Sequence, residues 1–240
     1  MNFLVACALL LQDKTAEETF RKIEETILNS KTVSVKFQFV IDVKRAETAL
    51  RIEGPGTMLL KDGQKLRLTF KYPEGSGDKE YDQRVDGEKG AREEHGKWKQ
   101  FEVPFPKGME HNSRLMLIRG GILGPTSSSL PWFVYALAEN LDKAWQVSEV
   151  KQGADDGKTK TLTYRLQFGE ETPTEVRLWY DADSFKPMKR TYRFKVESDK
   201  GSLKLNLFCA SGEGTFTEAY EELVLNADIP DEKFKLPAEK

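Results

Sequence analysis

A strict alternation of apolar and polar residues runs through residues 33–43 and constrains the fold more than any other feature of the chain. Every second residue of this stretch is apolar: Val33, Val35, Phe37, Phe39, Ile41 and Val43. Successive side chains of a β-strand point to opposite faces, so the pattern predicts one long strand with a buried face and a solvated face. Strands of this kind are typical of antiparallel sheets, which can leave one face in water.

Shorter patterns of the same kind bring the predicted total to about ten strands. Residues 52–60 and 66–72 meet through Asp62-Gly63, and residues 80–85 and 91–94 meet through Asp86-Gly87. Asp-Gly is typical of two-residue hairpin loops. The other predicted strands lie at residues 97–103, 144–147, 162–168, 176–180, 188–196, 203–207 and 216–225. Consecutive strands joined by tight turns predict a meander.

One amphipathic helix is predicted before the first strand. Thr15-Ala16-Glu17-Glu18 has the pattern of a capping box, in which the threonine hydroxyl accepts a hydrogen bond from the N3 amide and the glutamate reaches back. An apolar stripe at helical spacing follows: Ala16, Phe20, Ile23 and Ile27. The helix should end near residues 29–30, and its narrow stripe suggests that it lies across the sheet.

The alternation stops between residues 104 and 142, where Gly120-Gly121 and Gly124-Pro125 interrupt apolar segments. We predict two short helices joined by a loop, the second beginning near Pro131. A sheet with one buried face must curl to cover that face, and the predicted helices are the available cover. The predicted fold is therefore mainly β (α+β): an incomplete antiparallel β-barrel of about ten strands with one N-terminal helix and a short helical lid. It forms a single domain over residues 13–240.

The N-terminus bears on the cellular compartment. Residues 3–11 are an apolar run followed at once by Gln12-Asp13-Lys14, which is the length of a signal-peptide h-region. We interpret residues 1–12 as a signal-peptide remnant and expect export to the periplasm or cell envelope; a buried first strand or helix end is the alternative. Cys7 ends a sequence similar to a bacterial lipobox, but its leader is too short to favour lipid anchoring. With the leader removed, Cys209 would be left without a disulfide partner or enough zinc ligands.

Charge and motifs exclude several classes of function. The chain has 37 basic and 39 acidic residues, so it lacks the basic excess that nucleic-acid binding requires. His95 and His111 stand without metal-ligand spacing, and there is no G-x-S-x-G nucleophile elbow. We therefore expect a protein that is not an enzyme, uses no cofactor or metal, and does not bind nucleic acid.

Several of these features together resemble the periplasmic lipoprotein carrier and receptor superfamily (LolA/LolB-like). A capped helix precedes a long alternating strand, Asp-Gly hairpins follow, and a short helical insertion lies mid-chain. A Trp-Tyr-Asp strand, a turn and a proline occur at residues 179–187, and the last strand ends in Leu225-Asn226-x-x-Ile229-Pro230-Asp231-x-x-Phe234. The resemblance covers most of residues 14–236.

The resemblance implies an apolar cavity between half-barrel and lid that holds acyl chains. We expect the concave face and the lid to line it with these residues: Phe37, Phe39, Leu66, Leu68, Phe70, Leu117, Ile118, Trp132, Phe133, Tyr192 and Phe194. It also implies an arginine that helps to hold the lid closed. The candidates are Arg45, Arg51, Arg114 and Arg119, each of which could instead be a solvated surface charge.

Two functions fit this reading. The first is a monomeric envelope protein that binds lipid or lipoprotein acyl chains, because an apolar cavity can hold such chains without any catalytic residue. The second is a protein-interaction or envelope-sensor module on the same fold, in which the cavity is packed shut and residues 104–142 contact a protein partner.

Overall fold

The structure is a computed structural model that describes residues 3–44, 49–74, 77–94, 96–103, 106–123, 145–168, 173–196 and 212–238. These residues form two α-helices, α1 (Phe3–Leu28) and α2 (Pro106–Arg119), and one antiparallel sheet of eleven strands. The strands are β1 (Thr32–Lys44), β2 (Ala49–Lys61), β3 (Lys65–Glu74), β4 (Gly77–Asp86), β5 (Lys89–Glu94), β6 (Lys97–Glu102), β7 (Trp145–Gln152), β8 (Thr159–Phe168), β9 (Thr174–Asp181), β10 (Pro187–Val196) and β11 (Gly212–Leu225). The sheet is open, which confirms the predicted incomplete barrel with helices.

The order of the strands differs from a simple meander. It is β6-β5-β4-β3-β2-β1-β11-β10-β9-β8-β7, so two meanders are joined where β1 pairs with β11. The strands β6 and β7, consecutive in the chain, lie at opposite edges of the sheet. The segment between them contains α2, and the chain therefore crosses the sheet at that point instead of making a tight turn. The predicted strand at residues 203–207 and the predicted helix near Pro131 lie outside the described residues.

The two predicted hairpins are present, with one difference in loop length. Asp86 pairs with Lys89, which leaves a two-residue loop in which Gly87 has φ +65°. Lys61 pairs with Lys65, so the loop that contains Asp62-Gly63 has three residues and not two. Asp62 and Gly63 both have positive φ, which explains why residues that tolerate the left-handed region occur there.

Helix α1 begins twelve residues before the predicted capping box, at Phe3 and not at Thr15. The capping-box prediction is therefore wrong. Residues 3–14 contain neither glycine nor proline and are rich in leucine and alanine, so nothing interrupts the helix before Thr15. The predicted stripe is confirmed, since its four residues are all buried, and the helix ends at Leu28 as expected. No helix in the described part of the chain has the length and apolar character needed to cross a bilayer.

Both helices cover the inner face of the sheet, the face that carries Phe37 and Phe39. The apolar stripe of α1, the buried residues of α2 and the inner-face side chains form one continuous apolar cluster. The ring of Phe20 on α1 meets the ring of Tyr164 on β8 edge to face, with centroids 5.0 Å apart. The apolar face that the alternation predicts is thus the interior of the half-barrel.

The residues after β11 pack on the outer face of the same sheet. Lys61 and Lys65 point to that face, because their neighbours Leu60 and Leu66 are buried on the inner one. Lys61 donates to the Ile229 carbonyl at 2.7 Å, and both lysines pair with Asp231 at 2.8 and 3.0 Å. Hydrogen bonds from the two lysines lower the pKa of Asp231. This C-terminal motif therefore fastens the end of the chain across β2 and β3.

Candidate functional site

Every predicted lining residue whose side chain is described lies in the interior between sheet and helices. None of them is more than 6% exposed: Phe37, Phe39, Leu66, Leu68, Phe70, Leu117, Ile118 and Tyr192. They belong to one continuous apolar cluster, so sheet and α2 contribute to the same interior. Phe194 is a residue of β10 whose side chain is outside the described part, and Trp132 and Phe133 lie outside the described residues.

Aromatic rings contact each other in the half of this interior that β1 to β4 form. Phe70 contacts Phe39 edge to face, with centroids 5.9 Å apart, and stacks on Tyr81 at 4.7 Å. The ring of Phe37 lies over Gly56, where a Cβ atom would come within 2.2 Å of it. The absence of a side chain at Gly56 therefore leaves room for the Phe37 ring to lie against the sheet.

A buried carboxylate on β11 holds the chain just after α2. Glu218 is 0% exposed. Its Oε1 accepts a hydrogen bond from the Leu123 amide at 2.6 Å, and its Oε2 accepts from the Ile122 amide at 2.8 Å and from the Tyr220 hydroxyl at 2.9 Å. Gly121, with φ +95°, permits this approach, because a Cβ atom there would lie 2.5 Å from Oε2. Burial raises the pKa of Glu218, while its hydrogen-bond donors act in the opposite direction.

A buried guanidinium on β10 lies beside this carboxylate. Arg190 is also 0% exposed and faces Glu218 in the β10–β11 register. Its Nη2 donates to the Ile118 carbonyl of α2, and its Nη1 donates to the Tyr220 hydroxyl at 3.1 Å. Burial alone would lower the pKa of Arg190, but interactions with Tyr164, Tyr220 and Glu218 outweigh it and raise the pKa above its ordinary value. The side chain is therefore a permanent buried cation.

Hydrogen bonds from the sheet thus fasten the C-terminal end of α2. Besides Arg190 and Glu218, Tyr164 of β8 takes part, since its hydroxyl donates to the Arg119 carbonyl at 2.6 Å. Burial raises the pKa of Tyr164 and Tyr220, so both phenols are neutral and can donate at neutral pH. We call the buried residues Tyr164, Arg190, Glu218 and Tyr220 the polar centre.

Two of the four predicted lid arginines also hold α2. Arg114 is buried and donates to the Ile27 carbonyl and the Ser30 hydroxyl, both at 2.6 Å. Arg119 pairs with Glu24 at 2.8 Å and donates to the Trp145 carbonyl. These two arginines tie α2 to α1 and to the edge strand β7.

Of the other two candidates, the structure describes only Arg51. Arg51 is exposed and pairs with Asp42 and Glu53 on the outer surface, and Arg45 lies outside the described residues. Arg190 was not among the predicted arginines, although it reaches α2 from the sheet. The positions of Arg190 and Glu218 in their strands could have identified these residues. Both occupy inward positions in strands whose other inward residues are apolar or aromatic.

In the described part of the chain, no three His, Cys, Asp or Glu side chains are grouped so that they could hold a metal ion. His111 is exposed on α2, and His95 lies outside the described residues. The polar centre consists of arginine, glutamate and tyrosine side chains. Such groups are strong hydrogen-bond donors and acceptors, and here they bind the backbone at the end of α2.

No protein-family model matches the chain, and no curated protein matches it. Several solved structures do. They include a LolA superfamily protein from Nitrosomonas europaea, with 13% identity, a TM-score of 0.38 and coverage of 92% of this chain and 97% of that one. LprF from Mycobacterium bovis matches with 10% identity, a TM-score of 0.44 and coverage of 90% and 95%. A chain of the Pseudomonas aeruginosa MucA/MucB complex matches with 14% identity and a TM-score of 0.36, over 93% of this chain and 61% of that one.

One of the matched structures, from Nitrosomonas europaea, is a member of the superfamily that the sequence motifs resemble.

Proposed function

We propose that this protein is a non-enzymatic protein of the cell envelope that binds lipid or lipoprotein acyl chains between the half-barrel and its helices. One observation carries the proposal: a continuous apolar face, buried beneath α2, is covered by a helix that the sheet holds through hydrogen bonds at its C-terminal end. Such a helix can act as a lid. Hydrogen bonds at its C-terminal end attach it to the sheet, whereas its apolar side chains contact the interior.

The energetics of uptake support this reading. An acyl chain gains about 0.8 kcal/mol for each methylene it buries, so a chain of about ten methylenes gains on the order of 8 kcal/mol. The hydrogen bonds that Arg190 and Glu218 make at the end of α2 involve charged groups and contribute about 1.5–3 kcal/mol each. A ligand of this length can therefore offset the loss of about three of them.

The test is uptake of cis-parinaric acid, a fatty acid that fluoresces in apolar surroundings. We expect a saturable rise in fluorescence and, in native mass spectrometry, a one-to-one adduct. Leu117→Gln, which puts a polar group into the interior, should weaken uptake, whereas Met188→Gln should not, because Met188 is 42% exposed. Circular dichroism must show both variants folded. No saturable signal together with a clean unliganded mass would contradict the proposal.

A second function rests on a different observation. The described interior side chains pack against each other in one cluster, which is also what an interaction module with a closed cavity would show. In that case α2 and its neighbours form the contact surface for an envelope protein partner. Crosslinking in cell envelopes that returned one dominant protein, from a protein that carries no lipid, would favour this function over lipid binding.

We also propose that the protein is a monomer and that it works in the periplasm or cell envelope.

A further inference from the structure

The guanidinium of Arg190 is incompletely satisfied. It is 0% exposed, yet it makes no ion pair with any carboxylate in the described residues. Its Nε has no hydrogen-bond partner there either. The groups that its Nη atoms contact, the Ile118 carbonyl and the Tyr220 and Tyr164 hydroxyls, are all neutral. A buried N–H group without an acceptor is costly, and such unsatisfied donors are rare in folded proteins.

Glu218 does not fill this role, although it faces Arg190 across the strand pair. Its carboxylate accepts two backbone amides and the Tyr220 hydroxyl. These hydrogen bonds hold the chain after α2. The carboxylate interacts with Arg190 electrostatically, without a direct hydrogen bond in the described residues. The N–H groups of Arg190 therefore remain able to take an acceptor of higher charge than a carbonyl.

The geometry of the guanidinium indicates which acceptor fits. The Nε–H and Nη2–H bonds of arginine are parallel and form one edge, which matches the two oxygens of a carboxylate. On this edge Nε is unused and Nη2 is held by the Ile118 carbonyl of α2. A carboxylate that took the whole edge would replace that carbonyl and so release one of the bonds that fasten the end of α2.

We infer that Arg190 binds the carboxylate of a long-chain fatty acid that lies head-inward in the apolar interior, and that this contact loosens α2. The inference rests on the proposed function and narrows it, since it names a free carboxylic acid as ligand. Binding of the head group and movement of the lid are then one event. The methyl ester of the same fatty acid carries no charge, so it can make only apolar contacts with the interior.

The experiment compares oleate with methyl oleate by displacement of cis-parinaric acid. We expect oleate to bind at least about tenfold more tightly, because a hydrogen bond to a charged group contributes more than a neutral one. In Arg190→Met the ratio should fall to about one. Arg193→Met is the matched control on the same strand, because Arg193 is exposed on the outer face, and it should keep the wild-type ratio.

A second readout uses the wild-type protein alone, in case Arg190→Met does not fold. The carboxyl signal of [1-¹³C]oleate should stay ionised to lower pH when bound than in a phospholipid vesicle, because the guanidinium stabilises the charged form. A bound carboxyl that titrates as it does in the vesicle would overturn the inference. So would equal binding of oleate and methyl oleate, which leaves the proposed function standing, or tighter binding of oleyl phosphate than of oleate. If no probe binds at all, the proposed function fails as well.

Discussion

Glu218→Leu is expected to lower the free energy of unfolding by at least about 3 kcal/mol. The leucine removes the acceptor of the Ile122 and Leu123 amides, which lie 2.8 and 2.6 Å from the carboxylate. Each buried N–H left without an acceptor costs about 1–3 kcal/mol. Arg190 also loses its nearest negative charge. The chain after α2 should therefore detach from β11, and the stability of the whole interior should fall with it.

Urea denaturation followed by circular dichroism measures this effect. Glu221→Leu is the matched control, because Glu221 lies on the same strand but is exposed, and its side chain accepts a hydrogen bond from Gln38 on the adjacent strand. We expect that substitution to change stability by less than about 0.5 kcal/mol. If Glu218→Leu fell within about 1 kcal/mol of this control, the polar centre would not be what fastens α2.

Phe234→Ala should cost about 3–5 kcal/mol, the usual range for truncating a fully buried phenylalanine. Phe234 is 0% exposed although it lies outside the sheet, in the segment after β11, and it is not part of the main apolar cluster. The tail that carries it is bound to the outer face through Lys61, Lys65 and Arg84, the last of which donates to the Lys235 carbonyl at 3.1 Å. Loss of the ring should release this tail from β2 to β4.

Thermal and urea unfolding give the stability change, and limited proteolysis shows whether the tail becomes accessible. Met188→Ala provides a control in which an exposed apolar side chain is truncated. A Phe234→Ala protein as stable as this control, with a tail that still resists protease, would show that the C-terminal motif contributes little to stability.

Much of the fold follows from local pattern. The alternation at residues 33–43 places β1, the stripe through Phe20 and Ile27 places the buried face of α1, and Asp-Gly places two hairpins. In each of these cases a few neighbouring residues decide the structure. The start of α1 was missed because the capping signal at Thr15 is local, whereas helix-forming residues before it let the helix continue.

The strand order and the polar centre depend on contacts between distant residues. The pairing of β1 with β11 joins residues such as Val33 and Leu225, and no turn signal announces it. Arg190 and Glu218 could have been suspected, because each interrupts an inward apolar row with a charge. Their meeting could not be predicted from local pattern, since it requires the register between β10 and β11 and the return of α2 over the sheet.

The most direct test of the central claim is photolabelling with a fatty acid that carries a diazirine on its chain, followed by mass spectrometry of the labelled peptides. We predict label on inner-face peptides of β1, β3 and β10 and on α2, with Phe39, Leu68, Ile118 and Tyr192 among the modified positions, and loss of label when excess oleate competes. Label confined to outer-face residues such as Lys189 and Arg193, or label that oleate does not displace, would contradict the claim that acyl chains enter the half-barrel.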